Sequence, residues 1–546
     1  MVKRFFVGPL RRFAVIDKFL LVAVVFSVLS GIHGITWGVY GCLNPDEMAG
    51  RSLASCPPFH PGRFDKPPLL SYLNKLLINE PIRPAVYLVA FAQGDLQNLD
   101  SIYRRCRTVA SRLLQAVFFA GIVLFSYLFA RDWFGLAAAR VTALIIGTCS
   151  GFVPFKIFLT ADLSLVFWMT ACLYFSGRIM RHPDSLRISI MAGLCAGFAT
   201  ATKYNGLGIA VVLPLAHFLA HGGLAPALRR PSFYLCGLSV PASFLLANPY
   251  SLLDWDNFVG DFMYNYTVTP VYGGETGSGY GNFLRHLPDL IGVPACWLAP
   301  AIVLLGLFAL RDSGNAGMRR AMILLLAPLL LYFWKIGGFP RVEARFVLPV
   351  VPLIILLLCP GWQFLSRWPA ILVWIVAPIC AYGLASGFYV GRIFTEDARM
   401  RAIDWAREHF PADARVETAG HCPRWEFLEN RKIEVKHFPR GITRNRIFQE
   451  NLADNKWVAD RLARNIALND PNDLTPEALR HRNPDYVTID SFYLHNVDVA
   501  PFVRRLTSGE LGYRVVFIEE TPAPPRWVYP QHPDFTRGTF WILARE

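Results

Sequence analysis

The sequence is poor in charged residues. Only 17% of its 546 residues are Asp, Glu, Lys or Arg, and 53% are apolar, whereas a soluble domain carries about 25% charged residues. The basic residues flank apolar runs instead of gathering on one polar module, which excludes a nucleic-acid-binding protein. The same composition excludes a soluble enzyme and a disordered scaffold.

The few charges are also unevenly distributed along the chain. Residues 1–391 hold 48 charged side chains and the much shorter segment 392–546 holds 46. In the tail 23 basic and 23 acidic side chains balance, so the whole net charge of +14 belongs to the first part. We therefore predict a membrane domain at 1–391 and a soluble domain at 392–546.

Several common signatures are missing as well. The sequence has no P-loop, no glycine fingerprint after a strand, no internal repeat and no cysteine spacing typical of a metal site. Most of the 11 cysteines lie in apolar runs, while Cys42 and Cys56 share one predicted outer loop and are a candidate disulfide in an oxidising compartment.

About eleven stretches are apolar and long enough to be read as helices that cross a bilayer. They lie near 19–38, 113–130, 136–155, 163–177, 188–202, 205–220, 232–247, 291–310, 321–337, 346–365 and 369–391. With the N-terminus in the cytoplasm, the predicted cytoplasmic segments hold 16 basic residues against four acidic ones, as the positive-inside rule requires. The first stretch is interpreted as an uncleaved anchor.

An odd number of spans leaves the tail outside the cytoplasm. The outer face then comprises the loop 39–112, a turn near 156–162, the loop 248–290, residues 338–345 and the tail. The tail has the pattern of a mixed α/β domain, with a helix at 397–410 and strands at 415–419, 486–489, 513–518 and 540–543.

The first outer loop contains two candidate functional motifs. Asp46 and Glu47 are either a solvated helix cap or a general base at the membrane surface. In Asp65-Lys66-Pro67-Pro68 the prolines hold Lys66 extended, so that its ammonium can face a phosphate. Asp65 would orient this lysine or contact a divalent ion, and the alternative is a rigid surface turn.

Other candidates lie on the same predicted side, although ionisable groups cost about 2.5–3.5 kcal/mol at the centre of a membrane helix. Asp162 either caps the helix that it opens or takes part in catalysis. Lys203 either snorkels or binds phosphate. Arg341 and Arg345 are further candidates for binding phosphate, and the alternative for Arg345 is to cap its span or to pair with Glu343. In the loop 248–290, Tyr272 and Tyr280 are candidates for binding an acceptor, if this long loop acts as a lid.

Together these motifs resemble the GT-C class of polytopic glycosyltransferases, and within it the family 39-like protein O-mannosyltransferases and lipid A aminoarabinose transferases. The segments that carry the resemblance are Asn44-Pro45-Asp46-Glu47, Asp65-Lys66-Pro67-Pro68-Leu69, Thr160-Ala161-Asp162, Ala201-Thr202-Lys203-Tyr204-Asn205-Gly206 and Glu343-Ala344-Arg345-Phe346-Val347-Leu348-Pro349. The resemblance covers the membrane part, whereas the tail agrees only in size and character.

The resemblance implies an α-helical polytopic membrane enzyme with a C-terminal extracytoplasmic α/β domain in a bacterial inner membrane. Its donor would be a polyprenyl-phosphate sugar and its acceptor a lipid, glycan or protein. Asp46 or Glu47 would be the base, Lys66 and Arg345 would stabilise the leaving phosphate, and Asp65 is a candidate metal contact, although no cofactor is required with certainty. A single displacement with inversion is expected.

Two other classes of protein remain as alternatives. A secondary transporter places polar groups near the midplane between repeats, whereas this chain has no repeat and its charges lie toward one surface. A non-catalytic scaffold with a docking tail has no reason to bring distant charges together. The enzyme therefore predicts that Asp46, Lys66, Asp162 and Arg345 converge on one cavity.

Overall fold

The structure is a computed structural model of the chain. It describes residues 17–39, 43, 59–267, 278–312, 316–339, 342–419, 422–425, 428, 433–437, 475–491, 494, 500–523, 525 and 538–546. Six residues singled out from the sequence lie outside these ranges: Asp46, Glu47, Tyr272, Arg341, Cys42 and Cys56.

The described part of the chain before residue 396 is mostly helical. Its helices are α1 (Lys18–Leu29), α2 (Leu69–Asn74), α3 (Glu80–Gln93), α4 (Leu99–Phe134), α5 (Leu136–Thr148), α6 (Val153–Ile157), α7 (Asp162–Arg181), α8 (Leu186–Thr202), α9 (Val212–His221), α10 (Leu224–Leu228), α11 (Pro231–Ala247), α12 (Tyr250–Leu253), α13 (Trp255–Thr267), α14 (Gly279–Arg285), α15 (Leu287–Ile291), α16 (Val293–Asp312), α17 (Ala316–Gly337), α18 (Ala344–Val347), α19 (Val351–Leu357), α20 (Cys359–Leu365) and α21 (Pro369–Thr395). Short 3-10 or π segments join several of them. Between α4 and α5 the chain turns at Gly135, whose φ of 97° favours glycine.

Many of these helices are long and apolar enough to cross a membrane. Among the described residues seven segments qualify, or eight when the bent pair Leu136–Thr148 and Ser150–Ile157 counts as one span. Three shorter apolar helices are Lys18–Gly34, Leu186–Thr202 and Pro231–Ala247. Each of the eleven predicted stretches overlaps one of these segments. The polytopic helical fold is confirmed, and a count of eleven crossings stays a prediction.

Both long outer loops contain more helix than the sequence analysis expected. In the first loop α2 and α3 form, and α4 already begins at Leu99 instead of near 113. The segment 248–290 contains α12, α13, α14 and α15. Reading for apolar runs of about 20 residues does not detect the helices that lie wholly within these loops, because all of them are shorter; the longest, α3, has 14 residues.

Close packing of small residues joins α8 to α11. A Cβ on Gly193 or Gly197 of α8 would overlap backbone carbonyl oxygens of α11, those of Cys236 and Val240. Membrane helices associate through small residues because these let the backbones approach each other. The helix α8 ends at Thr202, and Lys203 follows it with an extended backbone (φ −157°, ψ 133°).

The tail contains helices and one five-stranded sheet within its described residues. The elements are α22 (Ala398–His409), β1 (Arg415–Ala419), β2 (Glu434–His437), α23 (Pro476–Arg482), β3 (Tyr486–Asp490), α24 (Ala500–Thr507), β4 (Tyr513–Glu520) and β5 (Thr539–Arg545). The strand order is β2-β1-β3-β5-β4, with β1 parallel to β2 and β3, and β5 antiparallel to β3 and β4. The predicted helix and all four predicted strands are present, and β2 was not predicted.

Candidate functional site

An ion pair joins the start of α7 to the end of α8. The Lys203 Nζ donates to Asp162 Oδ1 at 2.8 Å, and the side chains are 28% and 3% exposed. The helix-cap interpretation of Asp162 is wrong, because its carboxylate bonds to the lysine and no side chain caps α7. Lys203 likewise has a specific partner inside the protein, which simple snorkelling does not require.

Glu343 and Arg345 add a second ion pair beside the first. The Arg345 Nε contacts Glu343 Oε2, and Arg345 and Lys203 both act electrostatically on the Asp162 carboxylate. The ring of Phe346 lies 5.3 Å from Lys203 Nζ and 5.4 Å from Arg345 Cζ. We call Asp162, Lys203, Glu343, Arg345 and Phe346 the Asp162 cluster. The pairing of Arg345 with Glu343 is confirmed.

The segment that carries Asp65 and Lys66 is fastened beside this cluster through Phe64. The Phe64 backbone N–H donates to Asp261 Oδ2 at 2.5 Å, and its carbonyl oxygen accepts from Tyr204 Oη at 2.6 Å. Because Tyr204 follows Lys203 directly in the chain, this bond brings the Asp65-Lys66 segment next to the Asp162 cluster. Residues about 140 positions apart are thus neighbours.

Further hydrogen bonds hold the same segment from Phe59 to Asp65. His60 Nε2 lies 2.9 Å from Asp254 Oδ2, and Asn265 Nδ2 donates to the carbonyl oxygen of Asp65. The Tyr72 hydroxyl donates to the Phe59 carbonyl at 2.8 Å. Burial, and secondarily the charge of Tyr250, raises the pKa of Tyr72 to about 12, so its hydroxyl keeps the proton that makes this bond.

The sequence analysis missed the residues of α13 that hold this segment. Asp254 precedes that helix, and Asp261 and Asn265 lie seven and then four positions further along the chain. Such spacing places side chains on one face of a helix, so the polar face was detectable once 248–290 was considered helical. Because the sequence analysis interpreted residues 248–290 as a loop, it did not detect this polar face of α13.

Two further buried polar side chains hold parts of the chain near the start of α7, and one of them, Gln115, bonds directly before the site. Gln115 on α4 donates from Nε2 to the Thr160 carbonyl at 3.2 Å, two residues before Asp162. Lys156 on α6 donates from Nζ to the Ser27 carbonyl and to Ser30 Oγ, both at 2.9 Å. A cation is favourable at these last carbonyls of α1, where the helix dipole is negative.

Two predictions concern residues at the margin of this region. Asp65 lies 3.2 Å from Arg63 Nη2, and no group of three or more His, Cys, Asp or Glu suited to a metal ion occurs in the described ranges. Metal contact by Asp65 stays a prediction. Tyr280, in α14, donates from its hydroxyl to the Trp334 carbonyl at 3.2 Å and packs on Phe333 at the end of α17.

The structure thus brings together three of the predicted residues directly, Asp162, Lys203 and Arg345, and joins to them the segment of Asp65 and Lys66. The predicted sites at Asp46, Glu47, Tyr272 and Arg341 lie outside the described residues. A common cavity for Asp46, Lys66, Asp162 and Arg345 stays a prediction, since Asp46 lies outside the described residues.

Residues 102–247 match the family model described as dolichyl-phosphate-mannose-protein mannosyltransferase. No curated protein matches the sequence. The matched residues include Asp162 and Lys203.

Solved structures with a similar fold include ArnT from Cupriavidus metallidurans bound to undecaprenyl phosphate. That chain is 15% identical, with 96% of this chain and 97% of ArnT covered and a TM-score of 0.50. The apo state of the same ArnT is 13% identical over 96% and 97%, with a TM-score of 0.49. The apo oligosaccharyltransferase of Archaeoglobus fulgidus is 11% identical over 90% and 72%, with a TM-score of 0.46.

At these identities a structural likeness shows the fold alone. The structure that shows it here is ArnT bound to undecaprenyl phosphate, with its TM-score of 0.50. The family match adds evidence from sequence over 102–247. By its sequence in that region and its fold over nearly the whole chain, the protein is similar to the GT-C class of polytopic membrane glycosyltransferases, of the family 39-like kind that its motifs predicted.

Proposed function

We propose that the protein transfers a sugar from a polyprenyl-phosphate donor to a hydroxyl or phosphate of a lipid, glycan or protein acceptor, on the outer side of a bacterial inner membrane. The observation that carries this proposal is the Asp162 cluster, with the Asp65-Lys66 segment fastened next to it. Neither a scaffold nor a transporter needs this arrangement at one end of the helices.

The charges of this region suit an anionic donor. Four basic and three acidic side chains lie in the cluster and the adjoining segment: Arg63, Lys66, Lys203, Arg345, Asp65, Asp162 and Glu343. Lys66, Lys203 and Arg345 are the proposed phosphate-binding groups. The ArnT structure that holds undecaprenyl phosphate supports a lipid phosphate as a ligand of this fold.

The proposed reaction is a single displacement. Asp46, or Glu47 in its place, takes the proton of the acceptor hydroxyl, and the acceptor oxygen attacks the anomeric carbon. The bond from this carbon to the phosphate oxygen breaks, and polyprenyl phosphate leaves with the electron pair. Lys66 and Arg345 stabilise the growing charge, a contribution of about 3–4 kcal/mol per group. Because one displacement occurs, the configuration inverts.

Asp162 acts on this reaction by orienting cations. Its carboxylate is almost fully buried and accepts from Lys203, while Glu343 pairs with Arg345. The ammonium and the guanidinium are therefore held before the donor arrives. Groups placed in advance need no reorganisation during the reaction, which is why such electrostatic stabilisation is effective. No step of the proposal requires a metal ion.

The acceptor is proposed to bind between Tyr272, Tyr280 and the tail. Tyr280 is 39% exposed at the end of α17, where its ring can contact a sugar face. The proposed division into a membrane domain at 1–391 and a soluble domain at 392–546 would let the tail select the acceptor while the membrane domain binds the donor.

The test is product analysis with labelled polyprenyl-phosphate sugars in proteoliposomes. We expect Asp46→Asn to lower turnover about 10²–10⁴-fold, or Glu47→Gln if that residue is the base. Lys66→Ala should lower it about 10²–10³-fold. Arg230→Ala is the control, since this arginine is 49% exposed, pairs with Asp184 and belongs neither to the Asp162 cluster nor to the Asp65-Lys66 segment. Unchanged turnover in both carboxylate variants and in Lys66→Ala would refute the assignment.

A further inference from the structure

The turn that follows α1 is held by the first residues of the tail. Trp37 donates from Nε1 to Asp397 Oδ2 at 2.8 Å, and the Gly38 backbone N–H lies 3.2 Å from Met400 Sδ. Arg399 donates from Nη1 to the Leu43 carbonyl at 3.3 Å. We call Trp37, Gly38 and Leu43 the Trp37 turn.

Arg399 is the central residue of this contact. Its Nε and Nη2 bond to Asp397 at 3.0 and 2.6 Å, while the remaining nitrogen reaches Leu43. The guanidinium also lies 5.5 Å from the Trp37 ring. Both charged side chains are nearly inaccessible to solvent, 6% and 1% exposed. A planar guanidinium can make these contacts together, whereas an ammonium is a single point charge.

The geometry of the turn itself depends on close approach. Gly38 has a φ of 62°, and a Cβ there would lie 3.2 Å from the Leu43 backbone nitrogen. From α4, Arg112 donates to the Ile35 carbonyl at 2.5 Å and lies 5.9 Å from the Trp37 ring. Three distant parts of the chain therefore meet at this turn: the end of α1, the helix α4 and the start of the tail.

We infer that Arg399 is a positioning residue for the reaction, which fixes the point from which the first outer loop departs. The motif Asn44-Pro45-Asp46-Glu47 follows Leu43 directly in the sequence. The inference rests on the proposed function, in which this motif supplies the base. Through Arg399, the soluble tail takes part in placing a group of the membrane domain, in addition to its proposed role toward the acceptor.

A positioning role predicts a particular kinetic change. The donor phosphate is bound elsewhere, by the Asp162 cluster and Lys66, so loosening Leu43 should leave the KM for the donor within about twofold. The fraction of enzyme with its base correctly placed should fall, and kcat with it. For Arg399→Lys, which retains the buried charge opposite Asp397, we expect kcat to fall about tenfold.

The experiment compares Arg399→Lys and Trp37→Phe with the control Arg401→Lys in nanodiscs. Arg401 lies on the same helix and pairs with Glu519 at 2.9 Å, and both side chains are 39% exposed. Its guanidinium also donates to the carbonyl oxygens of Glu396 and Glu520, which lie outside the Trp37 turn. Steady-state kinetics give kcat and the donor KM. Hydrogen exchange of peptides covering residues 36–43 reports the turn without relying on activity.

The inference predicts lower kcat, an unchanged donor KM and faster exchange at 36–43 for Arg399→Lys, a smaller change of the same kind for Trp37→Phe, and none for Arg401→Lys. Equal behaviour of Arg399→Lys and Arg401→Lys would overturn it, as would a higher donor KM at constant kcat. If wild type transfers no sugar, the proposed function fails, and unchanged exchange in Arg399→Lys would then separately refute the link to the turn.

Discussion

The ion pairs at the two ends of the α7–α8 hairpin differ in how deeply they are buried. At one end Asp162 and Lys203 form a 2.8 Å pair with the carboxylate almost fully buried. At the other end Arg230 and Asp184 lie 3.3 Å apart with side chains 49% and 66% exposed. Exposed pairs contribute little to stability, and burying a pair requires removing both charges from water. A chain that keeps the buried pair is therefore expected to use it.

For the exposed end, the sequence analysis predicts a different role, that of orienting the helices in the membrane. Asp132 lies 3.7–4.0 Å from Arg131, Arg178 and Arg181, whose side chains are 34–46% exposed. Basic residues in short loops set the orientation of membrane helices. The contrast separates charges that we expect to orient the helices from charges proposed to act on a donor.

The largest expected effect breaks the buried pair. Lys203→Met leaves the Asp162 carboxylate buried without its closest cation, a loss of about 3–5 kcal/mol, toward the lower value because Arg345 still faces that carboxylate. Thermal or denaturant unfolding in detergent measures it. The double variant Lys203→Met/Asp162→Leu should recover most of the stability without recovering sugar transfer, and failure of this recovery would contradict the pairing argument.

A smaller effect is expected from displacing α8, the helix that ends at Thr202 just before Lys203. Gly197→Ala places a methyl group against the Val240 backbone, which cannot rotate away, and against Ser243 Oγ. Overpacking of this kind costs about 1–3 kcal/mol. Gly237→Ala is the matched control on α11, where an added Cβ meets nothing within 4 Å. Equal unfolding temperatures for the two variants would show that α8 and α11 are not closely packed.

The smallest effect belongs to the exposed end. Arg230→Met removes the partner of Asp184 in water, so the free energy of unfolding should change by about 0–1 kcal/mol and sugar transfer should remain at the wild-type rate. The same unfolding and transfer assays apply. A loss as large as that of Lys203→Met would remove the distinction between the two ends.

Much of the fold was predictable because hydropathy and charge are local properties of the sequence. Each apolar stretch overlaps a helix, and the strands at Arg415–Ala419 and Tyr513–Glu520 follow from their apolar patterns. The helices α3 and α13 were missed, since they have 14 and 13 residues and are shorter than the apolar run of about 20 residues that marks a membrane span. Asp162 and Lys203 were both identified as candidate residues, but their pairing was not.

The partners of the site residues were not predictable, because they come from remote segments. Tyr204 was known only as the neighbour of Lys203, and nothing in the sequence indicates that its hydroxyl reaches the Phe64 carbonyl. Arg112 and Arg399 each looked like an ordinary basic residue, and only packing brings both to Trp37. Such contacts depend on where helix ends meet in space.

The amino-acid sequence alone determined that the protein is a polytopic helical membrane protein with a polar tail, and it indicated which ionisable residues are costly enough to be functional. A bilayer requires apolar runs long enough to cross it and basic residues in the cytoplasmic loops, and both can be read directly from the sequence. Only the tertiary structure decided which charges pair, that Asp162 holds Lys203, and that Arg399 holds Leu43. Hydrogen bonds and ion pairs act over a few ångströms, so they are fixed by the packing of helices and not by the order of residues.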